Sequence, residues 1–70
     1  MEVIDIVSQP CKRRKDAVIQ VCDPKDADYF TIYKIFDVEE GYVAMAECYT
    51  RQMADLIVNT LKKEFNLPVD

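Results

Sequence analysis

Residues 50–68 read TRQMADLIVNTLKKEFNLP, and this stretch decides the fold. Thr50 is a good helix cap because its hydroxyl accepts a hydrogen bond from a free backbone N–H of the first turn. Asn66 suits the left-handed residue that follows a helix, and Pro68 prevents continuation. The apolar residues between these signals recur at the spacing of one helical face: Ala54, Ile57, Val58, Leu61 and Phe65. The stretch therefore predicts one amphipathic C-terminal helix.

Four segments before this helix are rich in β-branched and aromatic residues, which is typical of strands. They span residues 3–7, 17–22, 29–36 and 42–49. The first is expected to end before Pro10, with Ile4 and Ile6 on one face. A three-residue connection predicts a hairpin between the last two, with Gly41 in the left-handed conformation. The first two segments most simply form a hairpin as well.

Together these elements predict an α+β fold. We expect a sheet of three to four antiparallel strands with the one C-terminal helix packed on one face, a two-layer sandwich. The 70 residues make a single domain, 1–70. Since a chain of this length buries only about 60% of its unfolded surface, association with itself or with a partner would help to stabilise it. The order of the strands in the sheet stays open.

Composition restricts the class of protein. The net charge is −4 and the pI about 4.6, which argues against general nucleic-acid binding. No segment resembles a signal peptide or a membrane span. The three cysteines are odd in number and scattered, which fits a reducing compartment. We therefore expect a soluble, cytoplasmic protein that does not contact membranes.

The residue types needed for most catalytic sites are missing. There is no His to serve Ser8 or a cysteine as a base, and one glycine is too few for a phosphate-binding loop. Cys11, beside Lys12, is the cysteine expected to be most reactive. The spacing of the aspartates at 23–28 does not fit a calcium-binding loop, and no cysteine pair suits zinc. We expect no enzyme activity, no cofactor and no metal.

The hairpin register predicts which residues share a face of the sheet. It pairs Ile32 with Cys48 and Tyr33 with Glu47, and places Ala44 and Ala46 beneath the helix, where small residues allow close approach. Lys34 then falls on the helix side, which conflicts with that assignment unless it lies near an edge. The opposite face is expected to be partly open and unusually apolar for a solvated surface. It holds Tyr33, Ile35, Val43, Met45 and Tyr49.

This open face leads to the first functional hypothesis. An exposed surface of Tyr, Met and Ile is typical of a protein–protein contact. The chain would be a non-catalytic interaction module that acts as a small homodimer, or as a stoichiometric partner or inhibitor of another protein. The binding residues would be Tyr33, Ile35, Val43, Met45 and Tyr49.

Two alternatives rest on charge. The basic segment Lys12, Arg13, Arg14 and Lys15 could contact nucleic acid or phosphate, although a solvated loop is the favoured interpretation. The acidic residues could instead mimic nucleic acid, so that the chain occupies a basic cleft of its target as a phage-type accessory inhibitor. These acidic residues are Asp23, Asp26, Asp28, Glu39 and Glu40.

Overall fold

A computed structural model describes residues 2–13, 19–39 and 41–69 of the chain. It shows four antiparallel strands, a short 3-10 turn and one α-helix, so the predicted two-layer α+β fold is confirmed. Within the described residues, no helix has the length and apolar content to cross a membrane. The elements are β1 (Val3–Arg13), β2 (Ile19–Val21), the 3-10 turn (Pro24–Asp26), β3 (Tyr29–Phe36), β4 (Tyr42–Cys48) and α1 (Arg51–Glu64).

The strand order, β2-β1-β3-β4, places β1 and β3 in the centre of the sheet. β1 and β2 form the expected hairpin, but β2 pairs only with Cys11, Lys12 and Arg13. Among the described residues, no strand pairs with residues 3–9 of β1 on this side, which is therefore an edge of the sheet. α1 packs over β1 and β3 rather than over the outer strands.

β1 continues past Pro10, where the sequence predicts its end. The carbonyl oxygen of Pro10 accepts a hydrogen bond from the Cys22 N–H at 3.2 Å, so the polar groups of Pro10 face β2. In antiparallel strands the N–H and C=O of one residue point to the same side. The missing N–H of Pro10 therefore faces β2 at the point where that short strand ends, and no central hydrogen bond is lost.

A β-bulge between Val3 and Asp5 separates two isoleucines that were expected on one face. Ile6 is 1% exposed and belongs to the core, whereas Ile4 is 51% exposed. Val3, not Ile4, packs against the core beside Ile6. The expected alternation is wrong here because the extra residue of a bulge reverses the faces of the residues before it.

Both predicted ends of α1 are confirmed. The Met53 N–H donates to Thr50 Oγ1 at 3.1 Å, which satisfies one free donor of the first turn. Asn66 has a φ of 57°, in the left-handed region. The Leu67 N–H donates to the Lys62 carbonyl at 2.7 Å, and the Asn66 N–H to that of Lys63 at 3.2 Å. These two bonds form a Schellman motif, which closes the last turn.

The core lies between α1 and the two central strands. It is formed by Ile6, Phe30, Ile32, Cys48 and Ala54. Ile57, Val58 and Leu61 of the predicted helical stripe pack against it. The helix therefore buries the face that its apolar spacing predicts, and the complete burial of Ala54 marks its closest approach to the sheet.

Lys34 lies on the helix side of β3, where the sequence placed it in spite of its charge. Its Nζ lies 5.4 Å from the ring centroid of Phe36 and 5.6 Å from that of Phe65. Two aromatic faces thus stabilise the ammonium group at the margin of the core. Phe65, at the end of the helical stripe, is 38% exposed.

The predicted register between β3 and β4 is wrong. Ile32 pairs with Ala46 and Tyr33 with Ala44, and a second bulge lies between the two pairs. Ala44 and Ala46 are both exposed instead of lying beneath the helix, because Ala44 pairs with Tyr33 on the opposite face and Ala46 lies on an outer strand, whereas the helix covers β1 and β3. Six of the seven residues of β4 are exposed, so this edge strand borders the core only through Cys48.

Gly41 ends the connection between β3 and β4, but its φ is not positive, so the predicted left-handed conformation is wrong. A Cβ at this position would lie 2.5 Å from Val38 Cγ2 and 2.9 Å from the Val38 carbonyl oxygen. The chain needs glycine here because the turn folds closely over itself, with the Gly41 N–H donating to that same oxygen at 3.0 Å.

Candidate functional site

The side of the sheet opposite α1, called the open face, carries no helix among the described residues. Strand alternation and the observed registers determine which residues point to this side. β1, β3 and β4 each contribute side chains, so the face crosses the full three-stranded part of the sheet. Its members are Asp5, Val7, Gln9, Cys11, Arg13, Tyr29, Thr31, Tyr33, Ile35, Tyr42, Ala44 and Glu47.

At one end of the open face, the side chain of Arg13 lies across the neighbouring strand. Its guanidinium carbon is 4.9 Å from the centroid of the Tyr29 ring, and its Nη2 is 3.9 Å from Glu47 Oε2. The backbone N–H of Arg13 donates to Asp28 Oδ2 at 2.9 Å, which holds the strand end in place. Arg13 therefore covers Tyr29, which is buried although no helix lies over it.

Cys11 lies beside this cluster, and it is buried rather than exposed next to Lys12. Its Sγ donates to the Gln9 carbonyl oxygen at 3.4 Å and lies 3.7 Å from Thr31 Oγ1. Cys11, Cys22 and Cys48 are all free thiols. Burial raises the pKa of the Cys22 and Cys48 thiols, so the folded chain disfavours their thiolate forms.

Burial also raises the pKa of the Tyr29 hydroxyl above its usual 10.0, and the charges of Cys11 and Glu47 add to the shift. A group with a raised pKa in the folded state stabilises the fold below its unfolded pKa, and that contribution is lost as pH rises further. We expect the free energy of unfolding to fall more steeply above pH 10.0 in the natural chain than in Tyr29→Phe. Urea titrations of both proteins across this range measure the two slopes. Equal slopes in the two proteins would show that Tyr29 does not cause this loss of stability.

The other end of the open face is an apolar cleft of about 420 Å³. The rings of Tyr33 and Tyr42 meet edge to face, with centroids 5.8 Å apart and an interplanar angle of 79°. Val7 and Ile35 add apolar lining, and Ser8, Gln9 and Pro10 of β1 line the cleft as well. Tyr42 is 61% exposed, so the cleft is open to solvent at the β4 edge.

The structure brings together only part of the predicted binding set. Tyr33 and Ile35 line the cleft. Val43 pairs with Lys34 and therefore lies on the helix side, which corrects its expected placement. Met45 is the extra residue of the β4 bulge, and Tyr49 lies beyond the end of that strand. The five residues lie in or next to β3 and β4, but they do not form one surface.

Five lining residues were missing from the predicted set: Val7 and Tyr42, together with Ser8, Gln9 and Pro10 of β1. Val7 lines the cleft because β1 pairs with β3 and places Val7 opposite Tyr33. The sequence leaves this strand order open. Tyr42 enters because the bulge in β4 shifts the register and turns it toward Ile35. Strict alternation along 42–49 could not reveal this, since it assumes an uninterrupted ladder.

The predicted basic contact is divided by the strand that carries it. Lys12 and Arg13 are consecutive residues of β1, so they point to opposite sides of the sheet. Arg13 is already placed against Tyr29 and Glu47. Arg14 and Lys15 lie outside the described residues. Anion binding through this segment stays a prediction.

The predicted acidic surface is divided as well. Asp23 and Asp26 lie at the 3-10 turn, and Asp28 just before β3 accepts the hydrogen bond from Arg13. Glu39 lies in the turn after β3, which puts the length of that strand, about 26 Å, between the groups. Glu40 is outside the described residues. The described acids therefore form two separate groups rather than one continuous mimic of nucleic acid.

In the described part of the chain, no three His, Cys, Asp or Glu side chains are grouped so as to hold a metal ion. The most distinctive surface feature is thus the tyrosine-lined cleft with the Arg13 cluster at its far end. Comparison with known proteins found no matching family model, no matching curated protein and no matching solved structure.

Proposed function

We propose that this chain is a non-catalytic interaction module that binds a folded protein, either a partner or a second copy of itself, through the cleft of the open face. The observation that supports this proposal is the tyrosine pair of the cleft, in which exposed Tyr42 packs against half-buried Tyr33 beside Val7 and Ile35. Tyrosine supplies a large contact area at a small cost in side-chain entropy. We also propose a cytoplasmic location, in keeping with three free thiols.

The size of the cleft suits a side chain rather than a whole ligand. A volume of about 420 Å³ lies at the lower end of the range for small-molecule pockets, and it is open along one edge. One or two apolar side chains of a partner would fill it and cover the exposed parts of Val7 and Tyr42. Such burial would add apolar contact to a fold whose core beneath the helix, in the part of the chain that the structure describes, has five buried members.

Tyr42→Glu tests this proposal, with Tyr49→Glu as a matched control. Both tyrosines are exposed, at 61% and 73%, so neither substitution disturbs the core, but only Tyr42 lines the cleft. We expect Tyr42→Glu to weaken association at least about tenfold because it places an unpaired charge in the contact, and Tyr49→Glu to leave it unchanged. Light scattering over a concentration series measures self-association.

For a partner other than a second copy, the measurement is chemical cross-linking of the immobilised chain in cell extract. A protein partner would be retained by the natural chain and by Tyr49→Glu, and lost from Tyr42→Glu. Retention of the same proteins and the same solution mass by all three chains would show that the cleft is not the binding surface.

A further inference from the structure

Acidic residues lie just beyond the Tyr42 end of the cleft, where β3 ends. Asp37 follows β3, and its N–H donates to the Glu2 carbonyl at 3.1 Å, toward β1, whereas the Phe36 N–H points to β4. Because the N–H direction alternates with the side chain along a strand, Asp37 lies on the same side as Ile35. The Glu2 N–H donates in return to Asp37 Oδ1 at 3.2 Å, and exposed Glu39 lies two residues further on. Asp37 thus lies on the open-face side where β3 ends, with Glu2 hydrogen-bonded to it and Glu39 in the turn that follows.

The described cations near this region are directed elsewhere. The ammonium group of Lys34 lies between two rings on the helix side of the sheet. Lys62 Nζ lies 3.9 Å from Asp5 Oδ1, at the β1 edge. Arg13 is held at the opposite end of the open face by Tyr29 and Glu47. The carboxylates beside the cleft therefore produce a negative potential next to an apolar surface.

The edges of the sheet argue against binding by strand addition. Along β1, the N–H of Ile6 faces the open edge and donates to Asp5 Oδ1 at 2.8 Å, and Pro10 has no N–H. A bulge interrupts β4. These features hinder the continuous main-chain ladder that an added strand requires. Recognition through side chains on the open face remains the better-supported mode.

We infer that the cleft binds a short segment of a partner protein in which an aliphatic or aromatic residue stands next to Lys or Arg. The inference rests on the proposed function and adds the chemistry of the partner. The apolar side chain enters the cleft beside the paired rings of Tyr33 and Tyr42, and the cation reaches the carboxylate of Asp37. The acidic residues beside the cleft repel nucleic acid and anionic membranes, and the net charge of −4 acts in the same direction.

The test begins with a library of random peptides displayed on phage and selected on the purified full chain at low salt. We expect enriched sequences that combine an apolar residue with an adjacent Lys or Arg. One enriched peptide is then titrated into the ¹⁵N-labelled chain. Its binding should shift the amide signals of Val7, Tyr33, Ile35 and Tyr42, and it should weaken as salt is added.

Charge-matched variants isolate the role of the carboxylates. The double variant Asp37→Asn with Glu39→Gln removes two charges beside the cleft, and the new amide oxygen can still accept the Glu2 N–H. Asp23→Asn with Asp26→Asn removes two charges at the distant 3-10 turn, where Asp23 makes no capping bond. We expect the first to weaken peptide binding about three- to tenfold and the second to leave it unchanged.

The outcomes separate this inference from the proposed function. Enriched neutral or acidic peptides that shift the cleft signals would overturn the inference that the partner segment is basic. They would support the cleft as the binding surface. Basic peptides that bind outside the cleft, or equally well to both double variants, would overturn the inference. A failure to enrich any sequence would also overturn it, because the cleft would not bind a short segment. The Tyr42→Glu and Tyr49→Glu comparison on folded proteins tests the proposed function independently.

Discussion

Replacing Ile6 with Ala lowers the free energy of unfolding by about 2–5 kcal/mol, whereas Ile4→Ala changes it by less than about 1 kcal/mol. The two residues are chemically identical and two positions apart on β1. Ile6 is 1% exposed and packs with Ile32 and Ala54, whereas Ile4 is 51% exposed beyond the bulge. The difference between the two variants therefore measures what the bulge does to the faces of this strand.

The expected loss at Ile6 is large for a chain of this size. At roughly 0.05–0.15 kcal/mol per residue, the 70 residues have a total stability of about 3.5–10 kcal/mol, so Ile6→Ala brings the chain near its unfolding threshold. Ile6→Val, with an expected loss of about 0.5–1.5 kcal/mol, keeps the comparison measurable. Urea unfolding followed by circular dichroism gives each free energy. Equal losses of free energy at Ile4 and Ile6 would show that both side chains are buried and that no bulge separates their faces.

Replacing Gly41 with Ala costs about 1–3 kcal/mol, because the new Cβ would be forced against Val38. The added carbon would lie 2.5 Å from Val38 Cγ2, 2.9 Å from the Val38 carbonyl oxygen and 3.1 Å from Phe36 Cβ. The φ of Gly41 is not positive, so the cost comes from contact and not from backbone conformation. Gly41→Asn should therefore be at least as destabilising as Gly41→Ala.

A double-mutant cycle identifies the contact. Val38 is an exposed side chain, and Val38→Ala removes the methyl group that the new Cβ would strike. Gly41→Ala should cost less in the Val38→Ala background than in the natural chain, and the contact with the carbonyl oxygen should account for the cost that remains. Thermal or urea unfolding of the four proteins gives the coupling energy. A milder effect of Asn than of Ala would instead indicate the left-handed conformation that the sequence suggested.

The helix shows why local signals were sufficient for part of the fold. The Thr50 cap, the Asn66 terminus and the apolar stripe between them depend on residues within a few positions of one another. Their hydrogen bonds form inside the helix, whatever the helix packs against. The position of the helix over the sheet is different, since it depends on which strands lie in the centre.

The candidate site shows where local reasoning ends. Tyr33 and Ile35 could be assigned to a shared face, because they alternate within one regular strand. Val43 could not be placed correctly, because a single bulged residue changes the side on which every residue before it in β4 points. Val7 comes from a strand whose pairing with β3 has no local signal.

By itself, the sequence determined the α+β class, the helix with both of its ends and the approximate positions of the strands, because capping, spacing and turn chemistry act over a few residues. Only the tertiary structure decided the strand order, the two bulges, the place of Lys34 between two rings and the close contact at Gly41. Each of these depends on contacts between strands, or between the helix and the sheet. The cleft between Val7, Tyr33, Ile35 and Tyr42 exists for the same reason: three strands contribute to it, and their relative registers bring its side chains together.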